Sequence, residues 1–135
     1  MDSQTILIIE DDRFLSSILK GRLEKEGYTV LQAFDGEEGL AALRNTKPDL
    51  ILLDLIMPKV SGFEVLETIA NDPELSRIPV VIASNLGQDS DIERAKNFGV
   101  VEYYVKVRTS LDELSQRVKN IILQAKKVPV PEEGK

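Results

Sequence analysis

The 135-residue chain contains no cysteine and no histidine. Without cysteine there is no disulfide framework, thiolate metal site or cysteine nucleophile; without histidine the commonest general base and zinc ligand are missing. Any chemistry must therefore run on carboxylates, hydroxyls and lysines. Basic clusters are scarce as well: the net charge is -6, and no Lys/Arg-rich segment exists beyond Lys126 and Lys127. The electrostatic footprint of a domain that grips phosphate backbones is missing, so direct nucleic-acid binding is not expected. No run approaches the roughly 18 apolar residues of a membrane span, and the start Met1, Asp2, Ser3, Gln4 has no basic region ahead of an apolar stretch. The expectation is a soluble, cytoplasmic protein without a membrane partner.

What is present is an alternation. Short apolar runs and helix-length amphipathic stretches follow one another five times, in a chain long enough to bury roughly two thirds of its unfolded surface in one core. Ile6 to Ile9 reads as a buried strand, and Phe14, Leu15, Ile18, Leu19 and Leu23 form an apolar helical stripe that stops at Gly27. Tyr28 to Phe34 carries β-formers, and Asp35 with Glu38 has the spacing of a capping pair for a helix through Arg44. Leu50 to Leu53 is apolar on consecutive residues, the pattern of a central parallel strand covered on both faces. A helix from about Ser61 to Asn71 presents Phe63, Leu66 and Ala70, and Val80 to Ala83 is the fourth strand.

Ser90 to Phe98 offers only Ile92, Ala95 and Phe98 as a stripe, so this fourth helix should be weakly held and the most mobile. Val100 to Val105 is the fifth strand, and Ser110 with Glu113 caps a last helix bearing Leu111, Leu114, Val118, Ile121, Ile122 and Ala125. Residues 128 to 135 are too polar and proline-rich to pack and read as a tail or linker stub after a domain of residues 1–127. Strict strand-helix alternation implies an α/β, doubly wound parallel sheet with right-handed crossovers, and the fold expected is flavodoxin-like, with five helices and the strand order 2-1-3-4-5.

In that order, ligands bind beyond the carboxyl ends of strands one and three. Strand one ends in Glu10, Asp11 and Asp12, strand three in Asp54, strand four in Ser84 and Asn85, and strand five in Lys106. Carboxylates about 6 Å apart repel by roughly 3 kcal/mol per pair at an effective dielectric of 20, which demands a cation. An all-oxygen donor set of two or three carboxylates suits Mg2+ better than calcium. Each signal alone has a plainer reading: an acidic run before a helix is most often a cap, Lys106 a solvated strand end, Ser84 a satisfied hydroxyl, and Gly36 and Gly62 turn or helix-start residues.

Taken together, Ile6 to Asp12, the Asp-x-x-Met-Pro-x-x-x-Gly segment Asp54 to Gly62, Ser84, and Tyr103 to Lys106 resemble a bacterial response-regulator receiver domain over roughly residues 5 to 127. The resemblance implies that Asp54 accepts a phosphoryl group from a histidine kinase. It also implies that Glu10, Asp11, Asp54 and the backbone carbonyl of Ile56 hold Mg2+, that Ser84 and Lys106 engage the phosphoryl group, and that Tyr103 acts as a rotameric switch. Output would be contact with a downstream protein or a second copy through helix four, strand five and helix five.

Three residues depart from the family pattern. Val107 stands where proline usually follows a cis bond, so a trans bond and a remodelled loop are predicted. Asn85 replaces a small residue after the hydroxyl, where it either crowds the phosphoryl site or donates an amide hydrogen bond to it. Ile56 and Leu86 are apolar where water attack on the acyl phosphate is often influenced, which predicts slow self-dephosphorylation. Competing readings are a receiver-like interaction domain that works without phosphate, a magnesium phosphohydrolase and a flavin-binding domain. The hydrolase would need an acid/base at Ile56, and the flavin phosphate would meet the repelling charges of Glu10 to Asp12.

Overall fold

The computed structural model describes residues 4–127; the start at Met1 to Ser3 and the tail expected at 128–135 lie outside them. Five strands, β1 (Thr5–Ile9), β2 (Thr29–Ala33), β3 (Leu50–Leu53), β4 (Val80–Ser84) and β5 (Glu102–Val105), alternate with five helices. The helices are α1 (Arg13–Lys25), α2 (Gly36–Asn45), α3 (Gly62–Ala70), α4 (Asp89–Asn97) and α5 (Leu111–Lys127). All strand pairs are parallel, as the alternation predicts, and the sheet order is β2-β1-β3-β4-β5, the order expected. No helix among the described residues is long and apolar enough to cross a membrane.

Burial on both faces of the sheet explains the unbroken apolar runs. Leu7, Ile9, Ile51, Leu53 and Ile82 point into one core with Phe63, Val65, Leu66 and Ile69 of α3 and Leu43 of α2. Ile6, Ile8, Leu50, Leu52 and Val81 point into the other, with Leu19 and Leu23 of α1 and Leu114, Val118 and Ile122 of α5. Alternate residues of one strand thus serve opposite cores, which is why period-2 patterning is invisible here.

Several expectations shift in detail. Phe14 leaves the α1 stripe: it is 77% exposed, at the helix's first turn above the sheet's carboxyl edge. Ala70 and Ala125 are exposed too, because Val65 and Ile69 carry the α3 face and Ile122 carries the last buried turn of α5. Strand β5 starts at Glu102 rather than Val100. Helix α4 buries only Ala95, in line with its thin stripe, and Arg94 stacks its guanidinium 3.9 Å above the Phe63 ring.

Candidate functional site

The four strand ends converge where the sheet order reverses. Backbone bonds fix the two acidic termini: Glu10 N–H donates to Ala33 O and Asp54 N–H to Ile9 O, each at 3.0 Å. Beyond Asp54 the loop folds back so closely that a Cβ on Gly62 would sit 2.4 Å from the Asp54 carbonyl oxygen and 2.5 Å from Leu55 Cα. The final glycine of the Asp54–Gly62 segment is therefore set by close backbone approach, beyond its place at a helix start. Gly36 has the same character, 2.1 Å from the Val60 carbonyl oxygen for a notional Cβ, and it fastens the loop to the start of α2. Lys59, the only non-glycine described residue at positive φ (69°), reaches Asp35 at 3.5 Å across this junction.

The acidic run after β1 divides its labour. Asp12 caps α1, accepting the Leu15 N–H at 3.0 Å, whereas Glu10 and Asp11 turn to the site. Carboxylate oxygens of Glu10, Asp11 and Asp54 all lie within 4.8 Å of one another; Glu10 and Asp54 are buried and Asp11 is exposed. At that spacing each ionised pair repels by at least about 3.5 kcal/mol at an effective dielectric of 20. Lys106 answers part of this charge, its ammonium 2.6 Å from Glu10 Oε1 and 3.1 Å from Asp54 Oδ2. Asp54 Oδ1 accepts the Ile56 N–H at 3.2 Å, and Glu10 Oε2 the Asp12 N–H at 3.0 Å.

Burial pushes the Glu10 carboxyl up to about 7, against the lowering effect of its bonds to Lys106 and the Asp12 N–H and with the nearby Asp54 charge adding to the rise. Lys106 is desolvated, which works against its charge, yet its bond to Glu10 and the charges of Asp54 and Glu10 hold it above the usual ammonium range. Three clustered carboxylates with one ammonium leave net negative charge, and oxygen donors of this kind fit a small hard dication. A groove of about 540 Å³ between α1 and α5, lined by residues such as Arg22, Glu26 and Lys119, includes none of these groups. The acidic cluster lies apart from it, at the carboxyl ends of β1 and β3.

A match to the family model of the response regulator receiver domain spans residues 6–119. The chain belongs to this family. The receiver domain is a signalling module of two-component systems rather than a typical turnover enzyme, and membership implies a phosphoacceptor role. Among curated relatives, the DNA-binding dual master transcriptional regulator RpaA of Synechocystis sp. is 37% identical over 92% of this chain. The match takes in 51% of RpaA, so the chain spans about half the length of that relative. Among solved structures, the phosphorylated cyanobacterial phytochrome response regulator RcpA superposes with a TM-score of 0.81 at 33% identity, covering 97% of this chain and 100% of that one. The Mn2+-bound form of response regulator Rcp1 gives 0.79 at 30% identity, covering 96% and 99%. Receiver domains bind Mg2+ or Mn2+ at an acidic pocket, and Glu10, Asp11 and Asp54 form such a cluster.

The remaining sequence-predicted residues sit nearby in this receiver domain. Ser84 is fully buried at the end of β4, and its Oγ accepts the Leu86 N–H at 3.3 Å. Tyr103 is partly buried, its hydroxyl donating to the Leu86 carbonyl at 2.5 Å. Burial, with the charges of Asp91 and Asp54, pushes that phenol up to about 12, so it remains a donor. No peptide bond among the described residues is cis, so Lys106 and Val107 are joined in trans, and the loop there is a 3-10 turn, Lys106–Arg108. Asn85 Oδ1 accepts the Val107 N–H at 3.1 Å. The two departures are complementary, the N–H at Val107 meeting the amide oxygen at Asn85.

Proposed function

We propose that Asp54 takes a phosphoryl group from a phosphohistidine of a histidine kinase or phosphotransfer protein, and that the modified domain changes its protein contacts. The observation that carries this reading is the placement of Asp54 beside Glu10, Asp11 and the Lys106 ammonium at the reversal point of the sheet. Asp54 attacks phosphorus as the carboxylate; the new O–P bond forms as the P–N bond to the donor imidazole breaks, and the imidazole leaves. Glu10, Asp11, Asp54 and the Ile56 backbone carbonyl would hold Mg2+, whose chemistry is to neutralise equatorial phosphoryl charge during transfer.

The chain's own groups do the rest. Lys106, bonded to Asp54 Oδ2, pairs with a phosphoryl oxygen once the carboxylate has become an acyl phosphate. Ser84 gives up the Leu86 N–H to donate its hydroxyl to another, which releases the β4–α4 loop and reaches Tyr103 through Leu86. Phosphorylation adds about -1.5 to -2 charges, enough to drive both exchanges. Readout falls on α4, β5 and α5, toward a downstream protein or a second copy, with no direct nucleic-acid or membrane contact, in the cytoplasm. The domain assists its own phosphorylation and dephosphorylation and turns over no external substrate. Residues 1–127 form the receiver unit and 128–135 a tail or linker.

Phe14, Ile56 and Val107, which follow the site groups of β1, β3 and β5, are 77%, 52% and 79% exposed. This apolar rim around a charged centre favours a protein donor over a small phosphate ester alone. The second reading, an interaction domain independent of phosphate, is favoured by one contact: the Tyr103 hydroxyl already meets the Leu86 carbonyl in the unmodified chain. Incubation with acetyl phosphate and Mg2+, followed by intact mass, separates the two. One phosphate on the wild type and none on Asp54→Asn is expected; no addition to either would favour the phosphate-independent reading.

A further inference from the structure

Two adjacent loops are joined at positions that each directly follow a site residue. Asn85 comes after Ser84, and Val107 after Lys106; β4 and β5 end as a register pair at Ser84 and Val105. The backbone ladder stops there. One step beyond it, the Val107 N–H donates to Asn85 Oδ1 at 3.1 Å. Val107 lies in the 3-10 turn Lys106–Arg108, whose preceding residue, Val105, offers no side-chain cap. The first N–H groups of any helical turn lack partners within it. Asn85 thus caps a turn of the neighbouring loop.

We propose that Asn85 is a positioning residue for Lys106: its amide oxygen fixes the Lys106–Arg108 turn so that the ammonium is aimed at Asp54. This inference rests on the phosphoacceptor reading above. The mechanics follow from connectivity. Lys106 is the first residue of the turn, and its long side chain has ample rotamer freedom to lose. A turn anchored at the very next N–H removes backbone motion from that search. The same bond ties the segment after Ser84 to the segment after Lys106, while Tyr103 Oη holds the adjacent Leu86 carbonyl from β5. Ser84 and Lys106, the two groups that must close on a phosphoryl oxygen, therefore sit on loops that shift together. A proline at 107 would have no N–H to offer and an alanine at 85 no acceptor, so neither residue performs this task without the other.

Phosphorylation of the full chain by acetyl phosphate with Mg2+ tests the proposal, with rates read by intact mass in Asn85→Ala, Val107→Pro, Lys106→Met and the double variants N85A/V107P and N85A/K106M. A hydrogen bond of ordinary net worth predicts that Asn85→Ala slows phosphorylation roughly three- to tenfold. The slowing should vanish when the substitution is made in the Val107→Pro or Lys106→Met background. Full, additive slowing in either background would overturn the proposal, because a general loss of packing would add to both. Amide hydrogen exchange at Val107 supplies a readout independent of phosphate: Asn85→Ala should raise its exchange rate by a similar factor, and an unchanged rate refutes the anchor itself. If the wild type takes no phosphate at Asp54, the phosphoacceptor reading fails, and so does the assignment of Asn85 to transfer, even where the exchange result upholds the anchor.

Discussion

Replacing Lys106 by methionine should turn the site's charge balance into a measurable stability. The ammonium lies 2.6 Å from Glu10 and 3.1 Å from Asp54. At an effective dielectric of 20 these distances correspond to attractions of about 6 and 5 kcal/mol before desolvation. Methionine keeps the apolar stem but leaves two buried carboxylates within 4.8 Å of each other, repelling by at least about 3.5 kcal/mol. The observable loss is smaller, because an unpaired carboxylate takes up a proton or water. Breaking a buried pair typically costs about 3–5 kcal/mol, and the 18% exposure of the Lys106 side chain argues for the lower end. A loss of about 3 kcal/mol should lower Tm by roughly 10 °C in a domain of this size.

Thermal unfolding by circular dichroism at pH 8 in EDTA is the assay, and two further arms identify the cause. Glu10 titrates at about 7 against an ordinary value of 4.5. Between those values the folded chain holds a proton that the unfolded chain has released. The associated stability is complete below the ordinary value and is lost as the pH rises through about 7. Without the lysine the folded value of Glu10 rises further, so the deficit of Lys106→Met should be smaller at pH 5, where only the pairing with Asp54 is lost, and should grow above pH 6. Added Mg2+ at pH 8 should restore the variant by more than it raises wild type, since binding to the folded form alone stabilises by mass action and the variant's carboxylates have no internal cation to displace. A variant equally destabilised at pH 5 and pH 8, with no extra response to Mg2+, would show that lost packing rather than unbalanced charge accounts for the effect, and the account of the site would be wrong.

Three further outcomes follow from the same geometry. Gly62→Ala places a methyl group against the backbone of Asp54 and Leu55, which cannot yield as a flexible side chain could; about 2 kcal/mol or more of stability should be lost in chemical denaturation, together with much of the phosphorylation by acetyl phosphate. Phe14→Ser removes an exposed ring and no core contact, so phosphorylation by acetyl phosphate should be unchanged while transfer from a phosphohistidine protein slows several-fold; equal rates from both donors would remove the apolar rim from the docking surface. Ile56 is 52% exposed and cannot orient a water molecule, so the phosphorylated wild type should persist for minutes or longer with Mg2+ and Ile56→Asn should shorten its lifetime; a wild-type half-life of seconds would refute this.

The extent to which the sequence could be read follows from which interactions leave a pattern in it. Burial leaves one. The run Leu50 to Leu53 is buried because helices cover both sides of β3, and strict alternation implies a parallel doubly wound sheet, which in the order 2-1-3-4-5 has Glu10, Asp11, Asp54, Ser84 and Lys106 at its carboxyl edge. Local caps are equally legible: Asp35 accepts the Glu38 N–H at 2.8 Å and Ser110 the Glu113 N–H at 3.0 Å. Phe14 leaves the stripe for a geometric reason: three- and four-residue spacings link it to Ile18, at the margin of the stripe, and not to the buried centre of the face at Leu19 and Leu23. At 3.6 residues per turn it stands about 140° around the helix from Leu19, while Leu15 and Ser16 of the same turn face the core.

Contacts between segments distant in sequence leave no periodic trace. Gly62 and Gly36 were readable as turn formers, but their tight approach to Asp54 O and Val60 O depends on how two loops stack. The link from Asn85 to Val107 spans 22 residues and joins a side chain to a backbone N–H, which any non-proline residue at 107 would supply. Each is a departure from the family pattern: a larger residue after the hydroxyl and a missing proline after the lysine. In the folded chain one residue accepts the hydrogen bond that the other has become able to donate. Departures from a family pattern are therefore best weighed in pairs across neighbouring strand ends, where a loss at one position can be the condition for a gain at the next.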